Sequence, residues 1–373
     1  MNIQLIGDGI IHEVVNGIME ERDKEKSHFS SKVIQLGIIP TGSGNALANS
    51  FHLDNAVVGL LSVLRGSSQP IYISSVHKTP PRSQFPPSLE KLSPQIMYSC
   101  CVVSWGLHAQ IVSKSNFARW LGNFKFWCIG VLGIIFLHCY RGKVFVWDSF
   151  ARKHPSSVNL LALHQSTSNN STSSSSSSSS SLPSSSNQPL SSTMPSPLTI
   201  PSTSTSTSNP LVSTSSSTSS SPWFCPMNQS PFLLPTSIFT YFISSRVSEL
   251  EKNFPMTPDA HPTLSSFDLI SVSQISRKHL LKFFNNVNQK THLNLDNVLY
   301  LKTKAFALDL EDDNDHISSS WWKRKKWWWP GWWWNTREIC VDGEIITLEK
   351  GEGLVVKTLD HNDQIFKMFS LKF

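Results

Sequence analysis

The sequence predicts an α/β plus β fold, with a short N-terminal α/β domain over residues 1–68 and a β-sandwich-like domain over 69–373. Three observations carry this reading. Two strand–glycine turn–helix units follow one another at the start of the chain, which favours a parallel sheet with crossover helices. After Gly66 the pattern changes to short strand candidates separated by turn residues, as in β-sandwiches. Two stretches, 166–222 and 318–335, interrupt that pattern with compositions suited to insertions. A chain of 373 residues with 39% apolar content, diluted by serine, supports two cores at roughly 100–200 residues per domain.

Taken in order, Ile3–Ile6 is a short apolar run and Gly7-Asp8-Gly9 a turn. Ile10, Ile11, Val14, Val15, Ile18 and Met19 then recur at helical spacing. The unit repeats with Val33–Ile39 as a buried strand, Pro40–Asn45 as a turn and a helix from Ala46. Strand candidates follow at Ile96–Val103, Lys143–Trp147, Asn159–Leu163, Phe267–Val272, Val298–Lys304, Glu338–Val341 and Leu354–Thr358. One helix candidate, Ser276–Phe284, carries Leu280, Leu281 and Phe284 on one face. The 166–222 stretch is nearly all Ser, Thr, Pro and Asn, including nine serines at Ser173–Ser181. It cannot bury enough apolar surface to offset its ordering entropy and is expected to be a disordered loop.

Six cysteines show neither Cys-x-x-Cys pairs nor zinc-finger spacing with histidine, so free thiols in a reducing compartment are expected. Asp8 breaks the short apolar start, which argues against a signal peptide. The longest apolar run, Phe126–Cys139, is too short to span a bilayer and suits a buried or interfacial segment. Secreted and integral-membrane classes are thereby disfavoured.

Chemistry concentrates at the two glycine turns. Between a strand and a helix, such turns present backbone N–H groups to a phosphate, and the helix dipole adds positive charge. Neither turn is a Walker loop or a Gly-x-Gly-x-x-Gly fingerprint; each alone reads more often as structural, and two at one end of a sheet bring the phosphate reading level with that. Asp8 could accept a proton from a hydroxyl attacking a phosphoryl group, or simply cap the helix behind it. His12 reads as a helix-packing histidine, since no His-Glu-x-x-His surrounds it and no metal site is expected.

The stretches Gly7-Asp8-Gly9-Ile10-Ile11-His12-Glu13-Val14-Val15-Asn16-Gly17 and Gly37 through Ala48, containing Gly42-Ser43-Gly44-Asn45, resemble the diacylglycerol-kinase-like catalytic domain of sphingosine and ceramide kinases. The likeness continues at Ser104-Trp105-Gly106 through Gly122, His138–Gly142, Pro258–Asp268, Ser276–Phe284, Lys302–Phe306 and Val341–Glu344. This resemblance implies an ATP- and Mg2+-dependent lipid kinase with a nucleotide-binding domain and a β-rich lipid-binding domain. It makes Asp8 the base for the lipid's primary hydroxyl. It makes Gly7, Gly9, Gly42, Ser43 and Gly44 phosphate-loop contacts, Arg119 and Lys125 basic nucleotide contacts, and Asp342, Gly343 and Glu344 a motif returning to the nucleotide. The family pattern also has an earlier strand and an Asn-Pro loop, so the nucleotide domain here is expected to be partial.

Within the resemblance, sphingosine kinases carry acidic residues shortly after the Trp-Gly step, where this chain has Gln110 and Val112. That substitution leans toward ceramide, whereas His292 through Phe306 leans toward sphingoid bases; a sphingoid base ranks first, ceramide second and diacylglycerol third. The rivals are a lipid-binding pseudokinase and an NAD-kinase-like phosphotransferase.

Eight of the thirteen tryptophans fall within Trp321–Trp334, around the basic run Lys323-Arg324-Lys325-Lys326. Indoles favour the headgroup interface and basic side chains an anionic surface, so this insertion reads as a membrane-docking loop or as a bland low-complexity insertion. An isolated run of four basic residues is weak support for nucleic-acid binding, and none is expected. The expected location is cytoplasmic with peripheral membrane association, and the expected partners are a lipid substrate and a membrane surface.

Overall fold

The computed structural model describes residues 2–5, 8–24, 33–42, 44–81, 85–115, 124–152, 223–224, 231–311 and 335–371. Contacts group residues 1–164 and 222–373 into one compact unit. The strand candidate at Asn159–Leu163, Cys225, the Ser-rich stretch and the Trp/Lys insertion lie outside the described residues.

The chain opens with β1 (Asn2–Leu5), α1 (Asp8–Lys24), β2 (Ile34–Ile39), α2 (Ala46–Ser50) and α3 (Ala56–Arg65). β3 (Ser68–Pro70), β4 (Ser74–Thr79), β5 (Gln95–Ser99), β6 (Val102–Gly106), α4 (Leu107–Ser115) and α5 (Phe124–Ile135) follow. Next come β7 (Tyr140–Trp147), β8 (Phe150–Arg152), β9 (Trp223–Phe224), β10 (Phe232–Leu233), β11 (Ile238–Ser245) and β12 (Phe267–Ser273). The chain closes with α6 (Arg277–Asn285), β13 (Val298–Thr303), β14 (Ala305–Leu310), β15 (Glu338–Val341), β16 (Glu344–Thr347), β17 (Gly353–Thr358) and β18 (Phe366–Phe369).

A first sheet has the order β1-β2-β18-β3. β1 and β18 both run parallel to β2, and β3 is antiparallel to β18. The register pairs Leu5 with Ile39, so β1 and β2 end together and the turns behind them leave the same sheet edge. The C-terminal strand β18 thus sits beside β2 in the sheet that the N-terminus begins.

α3 lies against β2 with an inverted pattern. Its buried positions are Gly59, Ser62 and Val63, while Val57, Leu60, Leu61 and Leu64 are exposed. Close approach explains the choice of small residues, because a Cβ on Gly59 would stand 2.6 Å from the Ile38 carbonyl oxygen. The helix is closed by Asn55, whose side chain accepts from Val58 N, and by Gly66 at φ 71°.

The remaining strands form an antiparallel array ordered β5-β4-β17-β14-β7-β11-β12-β13-β8-β9, with β10 on β7, β6 on β11, and β15–β16 on β6. β7 is the junction: Gly142–Trp147 pair with β14, and Tyr140 and Arg141 pair with β11. Its alternation is legible, with Tyr140, Gly142, Val144 and Val146 buried and Arg141 and Lys143 exposed. β12 is buried on both faces and shows no such alternation until its last residue. Phe306 of β14 meets Phe242 of β11 and Phe267 of β12 edge-on, at 5.4 and 5.6 Å, closing an apolar core between the two halves of the array. A second core runs from Ile11, Val15 and Met19 of α1 through β2 and β18 to Cys100, Val102 and Tyr241.

The sequence reading has no candidate for β4, β11, β14 or β18, and the helix it expects from Ala46 is divided into α2 and α3. The strand expected over Ile96–Val103 is split, because the chain turns at Cys100 and Cys101 between β5 and β6. The β-rich half also holds α4 and α5 besides the expected helix. α4 follows β6 directly because Gly106, at φ 76°, turns the chain where a Cβ would press on Thr240 and Tyr140. The apolar run at Phe126–Cys139 is largely α5, and no helix among the described residues is long and apolar enough to cross a membrane.

Candidate active site

The site assembles where β1 and β2 end. Asp8 and Gly9 open the seventeen-residue α1 immediately behind β1, and Gly7 lies outside the described residues. The α1 dipole therefore presents its positive end where the first turn stands. Behind β2, Thr41 and Gly42 are exposed and Gly44 is half-buried, while Ser43 lies outside the described residues. Asn45 organises this second turn. It adopts φ 52°, its Oδ1 accepts from Gly42 N at 3.0 Å, and its Nδ2 donates to Gly42 O at 2.6 Å. Asn49 Nδ2 donates to Gly44 O at 3.1 Å. An asparagine tolerates the left-handed region better than other side chains, which accounts for its place in Gly-Ser-Gly-Asn.

Asp342 and His12 bring the C-terminal motif to the same helix. Asp342 sits at φ 50° in the hairpin between β15 and β16, with its carboxylate fully buried. Its Oδ1 accepts from Ser99 Oγ at 2.9 Å, Cys101 N at 2.9 Å and Val102 N at 2.6 Å. Its Oδ2 accepts from Cys100 N at 2.7 Å and meets His12 Nδ1 at 3.2 Å. Burial alone would raise the Asp342 pKa, but His12 and the backbone N–H groups of Val102 and Cys100 outweigh it and hold the carboxyl below its usual range. Burial likewise works against a charged His12, yet the bond to Asp342 and its charge, helped by Glu344 and Glu13, leave the imidazole pKa raised.

The next turn of α1 adds a second clasp. Asn16 Nδ2 donates to His12 O at 2.8 Å and Tyr98 O at 2.9 Å, and Asn16 Oδ1 accepts from Tyr98 N at 2.6 Å. One side chain thereby satisfies both backbone groups of a β5 residue. Farther along, Asp23 accepts from Tyr98 Oη at 2.8 Å, and Arg22 pairs with Asp363 at 2.8 Å. Composition gives no hint of the His12 or Asn16 contacts; the only signal was their place in the quoted motif.

Asp8 and Gly9 thus follow β1, and Gly42 and Gly44 follow β2, at strand ends that the register sets side by side, while Asp342 joins α1 through His12. Gly343 and Glu344 are exposed beside Asp342, and Glu13 is exposed on α1. Thr41 and Gly42 are exposed in the turn behind β2, where the Gly42 N–H is held by Asn45 Oδ1. Lys125 is the second residue of α5, and Arg119 lies outside the described residues. On α4, Gln110 is buried, with Nε2 donating to Asn335 O at 2.6 Å, and Val112 is half-buried. Lys114 on the same helix pairs with Glu338 at 3.6 Å.

Residues 3–76 match the diacylglycerol kinase catalytic domain. The chain is 30% identical over 152 residues to human sphingosine kinase 2, an alignment covering 38% of this chain and 21% of that protein. It is 26% identical over 147 residues to human ceramide kinase, covering 37% of this chain and 25% of that one. These alignments thus span about a fifth to a quarter of the curated relatives. A crystal structure from Bacillus anthracis str. Sterne, assigned as a diacylglycerol kinase, superposes with a TM-score of 0.51 at 12% identity, covering 99% of this chain and 76% of that one, and shares the fold. In sequence the chain is sphingosine/ceramide kinase-like, with a diacylglycerol-kinase-type catalytic segment at its start.

Proposed function

We propose that the chain transfers the γ-phosphoryl group of ATP to the primary hydroxyl of a sphingolipid at a membrane surface. The observation that carries this reading is the paired ending of β1 and β2, which delivers both glycine turns to one sheet edge within the segment matched to the kinase domain. In open α/β sheets, ligands bind beyond the carboxyl ends of the strands.

In this reading Asp8 accepts the proton of the lipid hydroxyl as its oxygen attacks the γ-phosphorus, the bond to the bridging oxygen breaks, and ADP leaves. Bound ATP with Mg2+ would supply the transferable group and offset its charge. Gly7, Gly9, Gly42, Ser43 and Gly44 form the phosphate-facing turns, and Arg119 and Lys125 add positive charge. Gly343 and Glu344 form the exposed rim of the same site. Residues Trp321–Trp334 dock on the membrane, with indoles at the headgroup level and the basic run against anionic lipid.

A sphingoid base is the first substrate reading, in line with the kinship to a sphingosine kinase. Ceramide is the second, favoured by α4, where Gln110 and Val112 place no carboxylate to pair with a sphingoid amine. The test is transfer of label from ATP carrying radioactive γ-phosphate into mixed micelles of sphingosine, ceramide or diacylglycerol. Label in sphingosine supports the first reading, and label in ceramide alone supports the second. Label in diacylglycerol alone overturns the sphingolipid assignment. No label in any lipid overturns the kinase reading itself.

A further inference from the structure

The carboxylate of Asp342 is saturated. A carboxylate offers about four lone-pair sites, and here five donors from Ser99, Cys100, Cys101, Val102 and His12 converge on it. Three successive backbone N–H groups make an anion-binding concavity, and the anion that fills it is a side chain of the protein itself. No acceptor capacity is left for a nucleotide donor while this turn stands. The residue also holds a left-handed φ of 50°, a strained backbone that persists only where its surroundings fix it.

His12 is where this anchor reaches the site. It lies one helical turn from Asp8, and residues four apart share a helix face. We infer that His12 and Asp342 are positioning residues: their buried pair fixes the first turns of α1, and with them the Asp8 turn, against the chain reversal at 99–102. The effect on turnover rests on the phosphotransfer reading above, whereas the effect on α1 does not.

The groups facing the pair are named by element. Glu13 comes from α1 and Glu344 from β16, both favouring a charged imidazole. Cys100 and Cys101 stand in the 99–102 turn. Arg246, just past β11, feels the Asp342 charge and is itself buried, its guanidinium held by Ser74, Thr358 and Leu264 O. A merely structural pair would hold the whole core; a positioning pair holds one end of one helix.

Hydrogen exchange and kinetics on the full chain separate these. In His12→Gln and Asp342→Asn, amides of residues 12–15 are expected to exchange at least tenfold faster than in wild type, with those of α6 unchanged. Arg22→Gln, at the far end of α1, should loosen only the last turn. The same two variants should lower kcat at least tenfold and leave the lipid KM within twofold. Unchanged exchange at 12–15 in both variants overturns the inference, as does uniform acceleration across the chain or a raised KM with kcat intact. If the wild type transfers no phosphate, the kinase reading falls and the exchange result alone decides the role of the pair. If Asp342→Asn does not fold, His12→Gln carries the same measurements.

Discussion

Substituting Gly59 in α3 by alanine tests how tightly the helix is seated beside the Pro40–Asn45 turn. The added Cβ would stand 2.6 Å from Ile38 O, 3.0 Å from Pro40 Cδ and 3.2 Å from Ile39 Cα. Two of these three atoms are backbone of the strand that leads into the turn, so neither can rotate away. Overpacking of this kind costs about 1–3 kcal/mol. Alanine returns about 1 kcal/mol through helix propensity, which leaves a net loss of roughly 0–2 kcal/mol. Gly17, in the middle of α1, is the internal control: nothing lies within 4 Å of its added Cβ. Gly17→Ala should therefore stabilise by about 0.5–1 kcal/mol. Urea unfolding of the two variants against wild type reads both signs. Equal stabilisation by both would refute the close seating of α3 on β2.

Asn16→Ala leaves the N–H and C=O of Tyr98 without their side-chain partner, a loss of about 2–3 kcal/mol measurable by denaturant unfolding. Lys302→Met strands the buried Asp268, which Lys302 holds at 2.6 Å while Tyr300 donates to its other oxygen, and should cost about 3–5 kcal/mol in the same assay. The His12–Asp342 pair has a pH signature. His12 has a raised folded pKa, so its contribution is complete below 6.5 and is lost as pH rises through the folded value. Asp342 has a lowered one, so its contribution is present above 3.8 and is lost as pH falls through its folded value. The stability gap between wild type and His12→Gln should accordingly be wider at pH 5.5 than at pH 8.5, and a gap independent of pH would contradict the pairing.

The sequence made the N-terminal units legible because apolar runs and glycine turns alternate there without interruption. β12, β13, β15 and β17 were also found within a residue or two of their ends, since each is a short apolar run between turn signals. β4 escaped because four of its five buried positions are Ser74, Ser75, His77 and Thr79, whose polarity hides the pattern around Val76. Some of their hydrogen bonds come from distant residues, such as Gly353 N to Thr79 Oγ1 at 2.8 Å, which local periodicity cannot reveal. The break between β5 and β6 was invisible for the same reason. Cys100 and Cys101 look like strand residues, and only the Asp342 carboxylate, some 240 positions away, explains the reversal. For the site, the two glycine turns could be located from pattern, and Asp8 within the first of them from its flanking glycines. The pairing of His12 with Asp342 could not, because His12 stands among apolar neighbours in the sequence and reads as packing.

The most direct test of the account is the single-turnover rate of phosphate transfer from ATP to lipid by wild type and by Asp8→Asn, with both proteins matched for folding by circular dichroism. General-base catalysis contributes about 10²–10⁴-fold, and the account predicts a loss of that size in the variant with its fold retained. An Asp8→Asn protein that transfers phosphate within threefold of the wild-type rate would contradict it.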